Sequence, residues 1–361
     1  MFTPERLFLA RKRRRMTQAA LASVSGISPQ SINAFEKSRK TPSEETVESF
    51  AKILNFPIDF FYAPMPPQLQ PDAVSFRAPS KMSALERDAT LGAGDIAITV
   101  NDWLEERFRL PVSSIPTYPH LSPSQAAEQV RAAFGLGESP VPNLVHLLEA
   151  NGVRIFSLPE DCLDADAFST NYQGTPFIFL NTRKTAERGR FDVAHELGHL
   201  VLHSEYRVPR GRESEVEANS FASSFLMPRA GILSQGLKDA PVDRIISAKR
   251  RWGVSAMALA YRLRDLGLLS EWRYSQTMKT LARMGYRSGE PGSQLVRESS
   301  QLLAKVFDVL RSKGLNFSEI ANHAGISINE LNGYVFGLFP VSVAGGNGGF
   351  SGSRPALRLV K

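Results

Sequence analysis

The chain has 361 residues, 42% of them hydrophobic and 22% charged, which is ordinary for a globular protein and predicts two or three domains. No stretch approaches the roughly 18 apolar residues that a membrane helix requires, and no apolar segment follows the basic residues 11–15, which argues against a secretory signal. The single cysteine, Cys162, cannot form an internal disulfide. We therefore expect a soluble protein in the reducing cytoplasm.

The positive charge is concentrated at one end of the chain. Residues 1–40 hold nine lysines and arginines against two glutamates, a surplus equal to the +7 net charge of the whole chain. The nine cations are Arg6, Arg11, Lys12, Arg13, Arg14, Arg15, Lys37, Arg39 and Lys40. This distribution predicts an electrostatic footprint for nucleic-acid phosphates, although a solvated basic helix face would give the same pattern.

Caps, turns and apolar spacing predict the secondary structure along the chain. Short helices are expected over 4–14, 17–25, 28–37 and 43–54, and longer helical segments over 82–108, 185–203, 213–226 and 242–331. A proline-rich stretch near 63–71 predicts a linker, and a glycine-rich end predicts a flexible tail. Short runs of β-branched and aromatic residues predict strands over 152–156 and 175–180.

Two histidines four residues apart, His195 and His199, lie in the helix expected over 185–203. On a helix this spacing places both imidazoles on one face, where they can bind the same cation. Glu196 is rotated about 100° from His195, beside the cation, where its carboxylate can take a proton from water and pass it to a leaving amine. The pattern predicts a catalytic Zn²⁺ site; the alternative is a helix that buries two histidines.

A catalytic zinc site uses three protein ligands and water, so one more ligand is needed. We expect it on the following helix, where Glu217 precedes the apolar Phe221 by one turn and is predicted to face inward. Glu215 is predicted to point away. Glu213 and His203 are the other candidates, and Glu217 could instead be a solvated surface carboxylate.

Residues 16–42 have the pattern of a helix-turn-helix. Gly26 lies just past the first helix, where a left-handed residue is needed, and the polar face of the second helix is free to read base edges in a major groove. The residues predicted to contact DNA bases or phosphates are Thr17, Gln18, Ser28, Gln30, Ser31, Asn33, Lys37 and Lys40. The alternative is a small helical bundle that contacts proteins.

Two regions resemble known families. Residues 5–65 are similar to the lambda-repressor-like (XRE) helix-turn-helix family, with a departure at Ala34, where a long polar side chain is frequent. The matching positions are Thr17-Gln18, Leu21-Ala22, Gly26-Ile27-Ser28, Ile32, Glu36 and Lys40-Thr41-Pro42. Much of 120–275 resembles the ImmA/IrrE family of zinc peptidases. The motifs that carry this resemblance are 191–203, Glu217-Ala218-Asn219-Ser220-Phe221-Ala222 and Leu226-Met227-Pro228.

The second resemblance implies His195, His199 and Glu217 as zinc ligands and Glu196 as the catalytic residue. Members of that family cleave partner repressors of the XRE type and so derepress phage, mobile-element or DNA-damage genes. Fused forms are often described only as transcriptional regulators. The segments 249–268 and 315–334 look like further helix-turn-helix units, or packing modules.

The expected fold is mainly α with a small β-sheet (α+β). Residues 1–64 are expected to form an XRE-type helix-turn-helix bundle, 65–81 a linker, 82–240 a zincin-like, ImmA/IrrE-type peptidase domain, and 241–361 a helical C-terminal region with a flexible tail.

The expected function is a DNA-binding transcriptional regulator whose zinc peptidase domain cleaves a repressor or antitoxin-like protein in a stress or mobile-element response. The alternative is a non-proteolytic regulator or antitoxin whose zinc-type domain serves sensing or partner binding. The expected partners are an operator in double-stranded DNA, a protein substrate and a second copy of the chain, in a nucleoid-associated location and without a membrane.

Overall fold

The computed structural model describes residues 1–70, 74–76, 82–162, 164–203 and 211–338, and its contacts divide the chain into two compact units. The first unit consists of 1–111, 156–165 and the chain from 300 onward. The second unit consists of 112–155 and 166–299. The sequence predicted domain boundaries at 64, 81 and 240. The contacts instead group 82–111 and the helices after residue 300 with the N-terminal bundle, and they leave 241–299 in the second unit.

Helices dominate the described residues, which confirms the mainly α fold with a small β-sheet. In chain order the helices are α1 (Pro4–Arg13), α2 (Gln18–Ser25), α3 (Pro29–Glu36), α4 (Glu44–Leu54), α5 (Ala84–Glu105), α6 (Pro123–Ala133), α7 (Leu144–Ala150), α8 (Ala186–Leu202), α9 (Arg212–Leu226), α10 (Arg229–Leu233), α11 (Val242–Trp252), α12 (Ala256–Asp265), α13 (Glu271–Arg283), α14 (Gln301–Ser312), α15 (Phe317–His323) and α16 (Ile328–Tyr334). The strands are β1 (Ser75–Phe76), β2 (Arg154–Ser157), β3 (Ala167–Tyr172) and β4 (Thr175–Leu180). Among these described helices, none has the length and apolar character needed to cross a membrane.

Capping residues set the starts of the N-terminal helices. The side chains of Thr17, Ser28 and Ser43 each accept a hydrogen bond from a backbone amide three residues on, at the first turns of α2, α3 and α4. Gly26 has a φ of 71°, the left-handed conformation that ends α2 and turns the chain into α3. The four expected helices are therefore present to within one residue at each end.

The basic end of α1 lies inside the first unit. Arg13, which is 2% exposed, donates one hydrogen bond of 2.7 Å to Glu330 on α16 and bonds of 2.7 and 2.9 Å to the carboxylate of Asp161. Arg14 donates to the other oxygen of Glu330 at 2.7 Å, and the Tyr334 hydroxyl donates to Glu330 at 2.6 Å. These ion pairs hold α16 and the segment around Asp161 to α1, which explains why residues far apart in sequence form one unit.

The expected phosphate footprint is wrong for most of the N-terminal cations. Six of the nine bind acidic side chains or carbonyl groups of their own unit: Arg6, Arg11, Lys12, Arg13, Arg14 and Arg15. A buried or paired cation releases few counterions from DNA, so it adds little to DNA affinity. The cations on the exposed surface after α3 are Lys37, Arg39 and Lys40.

In the second unit, β3 and β4 form an antiparallel pair that runs from Ala167 opposite Leu180 to Tyr172 opposite Thr175. The two residues between them, Gln173 and Gly174, have φ values of 50° and 83°, as a tight two-residue hairpin requires. Strand β2, whose first two residues belong to this unit, lies on the other side of β4. The sequence predicted β2 and β4 but not β3.

Helices α8 and α9 pack closely against each other, and Gly198 of α8 lies at their contact. A Cβ atom at Gly198 would be 3.1 Å from the ring of Phe221 and 3.2 Å from the backbone of Ala218. These distances are shorter than ordinary carbon contacts, and a helix backbone cannot move aside as a flexible side chain does. A residue without a Cβ is therefore needed here for α9 to approach α8.

Part of the expected linker and the expected tail lie outside the described residues. These parts are 71–73, 77–81 and 339–361, which include the glycine-rich 345–349. Within the described part of the linker, Leu69 is buried and its amide donates to Asp95 of α5 at 2.8 Å. In the expected third helix-turn-helix unit, 315–334, the second helix is α16, whose Glu330 and Tyr334 are buried within the first unit.

Replacing Glu330 by Gln is expected to lower the free energy of unfolding by about 3 kcal/mol, because Arg13 and Arg14 lose the charge that compensates their burial. Burial would raise the pKa of Glu330, but Arg13 and Arg14 hold it below its ordinary value. The stabilisation is thus complete above about pH 4.5 and lost as the pH falls through the lower folded-state pKa. Denaturant unfolding at pH 7 and below pH 4 measures both effects.

The matched control is Asp308→Asn, which breaks an exposed pair with Arg311 on α14 and should cost under about 1 kcal/mol. Equal losses for the two variants would contradict the buried network.

Gly198→Ala is expected to destabilise the protein by about 1–3 kcal/mol, because the added methyl group overpacks the contact between α8 and α9. Gly189→Ala, on the same helix, is the control: a Cβ there meets nothing within 4 Å, so it should stabilise by about 0.5–1 kcal/mol. Thermal unfolding of both variants checks the opposite signs.

Candidate metal centre and helix-turn-helix surface

Three side chains from α8 and α9 converge on one point. His195 Nε2 and His199 Nε2 are 3.1 Å apart, and the Glu215 carboxylate lies 3.4 Å from the first and 3.2 Å from the second. A tetrahedral Zn²⁺ with bonds of 2.0–2.1 Å separates its ligand atoms by about 3.3 Å. The two distances to Glu215 involve different oxygens, Oε2 for His195 and Oε1 for His199, and one ligand atom from each of the three side chains lies within 4.8 Å of the others. The three side chains are therefore close enough together to hold one such cation.

The expected orientations of the two glutamates on α9 are both wrong. Glu215, expected to point away, faces His195 and His199, whereas Glu217, expected to face them, has its Oε2 2.9 Å from His203 Nε2. At about 100° per residue, Glu215 and Glu217 lie on opposite flanks of the buried stripe of α9. The two histidines of α8 face the flank that carries Glu215.

A neighbouring amide fixes which nitrogen of His195 carries the hydrogen. The Asn219 side-chain nitrogen donates to the Glu215 carbonyl at 2.7 Å, so its Oδ1 is the atom 3.2 Å from His195 Nδ1. An amide oxygen only accepts, and His195 Nδ1 is therefore the donor. The lone pair of His195 Nε2 is left facing the point of convergence, as metal binding requires.

The chemistry of the donor set fits a cation. Burial would raise the pKa of Glu215, but its interactions with the two imidazoles lower the pKa well below its usual range, so the carboxylate is ionised at neutral pH. When the Nε2 atoms of both histidines carry no hydrogen, their lone pairs and the Glu215 carboxylate are all electron donors, and a bound divalent cation would compensate their mutual repulsion. His195 and His199 are 0% and 5% exposed. Because water screens charges little at such a buried point, the attraction between these groups and a cation is stronger there.

Glu196 lies next to this centre, fully buried on α8. Its Oε2 accepts a hydrogen bond of 2.6 Å from the Ser169 hydroxyl of β3. Ser169 is itself buried, so the bond orients the carboxylate from the sheet side. Glu196 is thus held from the sheet side and is not among the three converging side chains.

Sequence reasoning missed two residues of this centre, Ser169 and Asn219. The signal for Ser169 was Gly174, directly before the strand predicted over 175–180, since a glycine at that position is typical of a hairpin turn and predicts a further strand before it. The signal for Asn219 was its spacing of one turn from Glu215, which places both on one helix flank.

On the helix-turn-helix, several predicted DNA contacts make local bonds. Thr17 and Ser28 cap helices, and Ser28 donates to Ser31 at 3.0 Å. The side chain of Gln18 donates to Glu36 Oε2 at 2.7 Å, inside the buried Arg11–Glu36 pair. Its terminal amide is therefore held by the fold, although the start of α2 remains exposed.

The other predicted contacts lie toward solvent. Gln30 of α3 is exposed, and Asn33 is half-buried on the same helix. Lys37 and Lys40 are exposed just beyond its end, and Lys40 lies over the ring of Phe35 at 5.8 Å. This part of the surface offers two amides for base edges and two cations for phosphates.

Each of the two regions matches a known family model. Residues 148–264, which include β3, α8 and α9, match the peptidase M78 family model, described as the IrrE N-terminal-like domain. Residues 7–61, which include α2 to α4, match a model described as helix-turn-helix. No curated protein matched the chain. The chain therefore contains one region that matches a helix-turn-helix model and another that matches the model of the IrrE N-terminal-like domain.

Proposed function

We propose that this protein is a DNA-binding transcriptional regulator that hydrolyses peptide bonds in a partner protein, using Zn²⁺ held by His195, His199 and Glu215. The observation that carries the proposal is the convergence of these three side chains, whose ligand atoms lie within 4.8 Å of one another, with the buried Glu196 following His195 on the same helix. The match of this region to a peptidase family supports the same reaction. Glu215 takes the ligand role that was expected for Glu217.

Zn²⁺ at this position would supply a Lewis acid that polarises the scissile carbonyl and acidifies water. Glu196 is the group of the chain that moves protons: its carboxylate takes one from the attacking water and returns it to the amine nitrogen as the peptide bond breaks. The Ser169 hydroxyl holds one oxygen of Glu196, so the carboxylate keeps a single orientation during both transfers. His195 is kept in its binding tautomer by Asn219.

The DNA-binding part of the proposal places α3 in a major groove. The match to a helix-turn-helix model and the exposed polar end of α3 support this placement. Gln30 and Asn33 would contact base edges, and Lys37 and Lys40 the phosphates. We propose a homodimer on paired half-sites, because helix-turn-helix readers usually bind two of them.

The substrate we propose is a repressor or antitoxin-like regulator, cleaved during a stress or mobile-element response in the cytoplasm, at the nucleoid. A second candidate is a regulator or antitoxin that uses the metal centre to sense zinc or bind a partner. The burial of Glu196 favours this second candidate, because a peptide would need an opening to reach the carboxylate.

Purified protein is expected to bind one equivalent of Zn²⁺, and His199→Ala to lose it, because two ligands hold zinc far more weakly than three. Glu196→Gln should keep the metal and lower the cleavage rate by at least about a hundredfold, since it removes the proton carrier. Metal analysis and cleavage of co-purified repressor-type proteins measure the two effects. His323→Ala, an exposed histidine of α15, is the control and should change neither.

A protein that binds zinc stoichiometrically while Glu196→Gln leaves both cleavage and the regulatory phenotype unchanged would support the second candidate and exclude the first.

Alanine at Lys37 or Lys40 is expected to weaken binding to every duplex to a similar extent and to reduce the slope of log K against log salt by about one. Gln30→Ala should cost about 1–3 kcal/mol on a duplex selected from a random pool and relax the preference at one base pair. Lys52→Ala, an exposed cation of α4, serves as control. Loss of affinity without change in the salt slope would place these lysines outside the interface.

A further inference from the structure

His203 ends α8 one turn after His199 and links it to Glu217. His203 Nδ1 is 2.9 Å from His199 Nδ1, and its Nε2 is 2.9 Å from Glu217 Oε2. The side chain of His203 is 5% exposed and that of Glu217 is 36% exposed. The three groups form a continuous row from the candidate metal centre to the surface of the second unit.

Hydrogen placement along this row has one solution when His199 binds a metal. A neutral imidazole that binds through Nε2 carries its hydrogen on Nδ1, so His199 Nδ1 donates and His203 Nδ1 accepts. The hydrogen of His203 then lies on Nε2 and is donated to the carboxylate of Glu217. The reverse direction would put a hydrogen on His199 Nε2, which faces His195 and Glu215 and would block the cation.

We propose that His203 and Glu217 are positioning residues that hold His199 in the tautomer that binds metal. This inference rests on the proposed metal site and adds two residues to it that touch neither the cation nor the substrate. It also gives a role to Glu217, which acts through His203 instead of binding the metal. Mutation of residues that hydrogen-bond to metal ligands in this way typically lowers metal affinity by 10- to 100-fold.

Each binding histidine then has its own partner on α9. Asn219 accepts the hydrogen of His195 Nδ1. His203 Nδ1 accepts the hydrogen of His199 Nδ1, and Glu217 accepts the Nε2 hydrogen of His203. Glu215, one turn before Asn219 on the same flank of α9, faces both rings. One helix therefore supplies the carboxylate and, on its two flanks, the groups that orient both imidazoles.

The experiment compares four variants of the full chain by competition for Zn²⁺ with a chromophoric chelator. His203→Phe keeps a ring of similar size without hydrogen bonds and should weaken zinc binding 10- to 100-fold. His203→Asn places an amide oxygen near the position of Nδ1 and should bind zinc within a few-fold of wild type. Glu217→Ala should lie between them, and Glu213→Ala, an exposed glutamate of the same helix, should not differ from wild type.

A second readout follows the tautomer itself. In long-range ¹H–¹⁵N NMR spectra of the zinc-loaded protein, His199 should carry its hydrogen on Nδ1, and this signal should lose its protected, hydrogen-bonded character in His203→Phe. A role limited to packing would leave His203→Asn no better than His203→Phe, so rescue by the asparagine variant separates positioning from structure. If His203→Phe does not fold, Glu217→Ala and His203→Asn decide the result.

Zinc affinity of His203→Phe and Glu217→Ala within twofold of wild type would overturn the relay and leave the proposed function standing. Failure of the folded wild-type protein to bind zinc would instead overturn the metal site and the relay together.

Discussion

The close contact between α8 and α9 is the constraint on which the candidate metal centre depends. A glycine at position 198 lets the backbone of Ala218 come within 3.2 Å of the point where a Cβ atom would lie. At that separation the polar residues of α9 reach the imidazoles of α8. The buried Glu196 comes from α8 itself, and the sheet contributes the hydroxyl of Ser169 that orients its carboxylate. The centre is therefore a product of helix packing more than of any loop.

Buried charge organises the first unit in a similar way. Arginines of α1 that the sequence suggested for DNA instead bind carboxylates from α16 and from the segment around Asp161. Removing one member of such a network leaves an uncompensated charge in the interior, so its members depend on one another. The surface left for DNA is narrower than the charge count implied, with its cations just beyond α3.

Much of the fold and part of the site could be predicted from the sequence. The N-terminal helices follow from local caps and turns, and the spacing of His195 and His199 fixes their shared face. Glu215 could not be distinguished from Glu217 in this way, because both flank the same apolar stripe and only the position of α8 selects between them. The burial of Arg13 could not be predicted from local sequence either, since its partner Glu330 is 317 residues away in the chain.

That separation bears on how the protein is made. The helix-turn-helix leaves the ribosome early, but the carboxylate that compensates the buried guanidinium of Arg13 is synthesised 317 residues later. At 5–20 residues per second, translation of this stretch takes roughly 15–60 s. During that interval the first unit lacks α14 to α16, so Arg13 and Arg14 are without the carboxylate of Glu330. The N-terminal bundle therefore reaches its final packing only after the last helices have emerged.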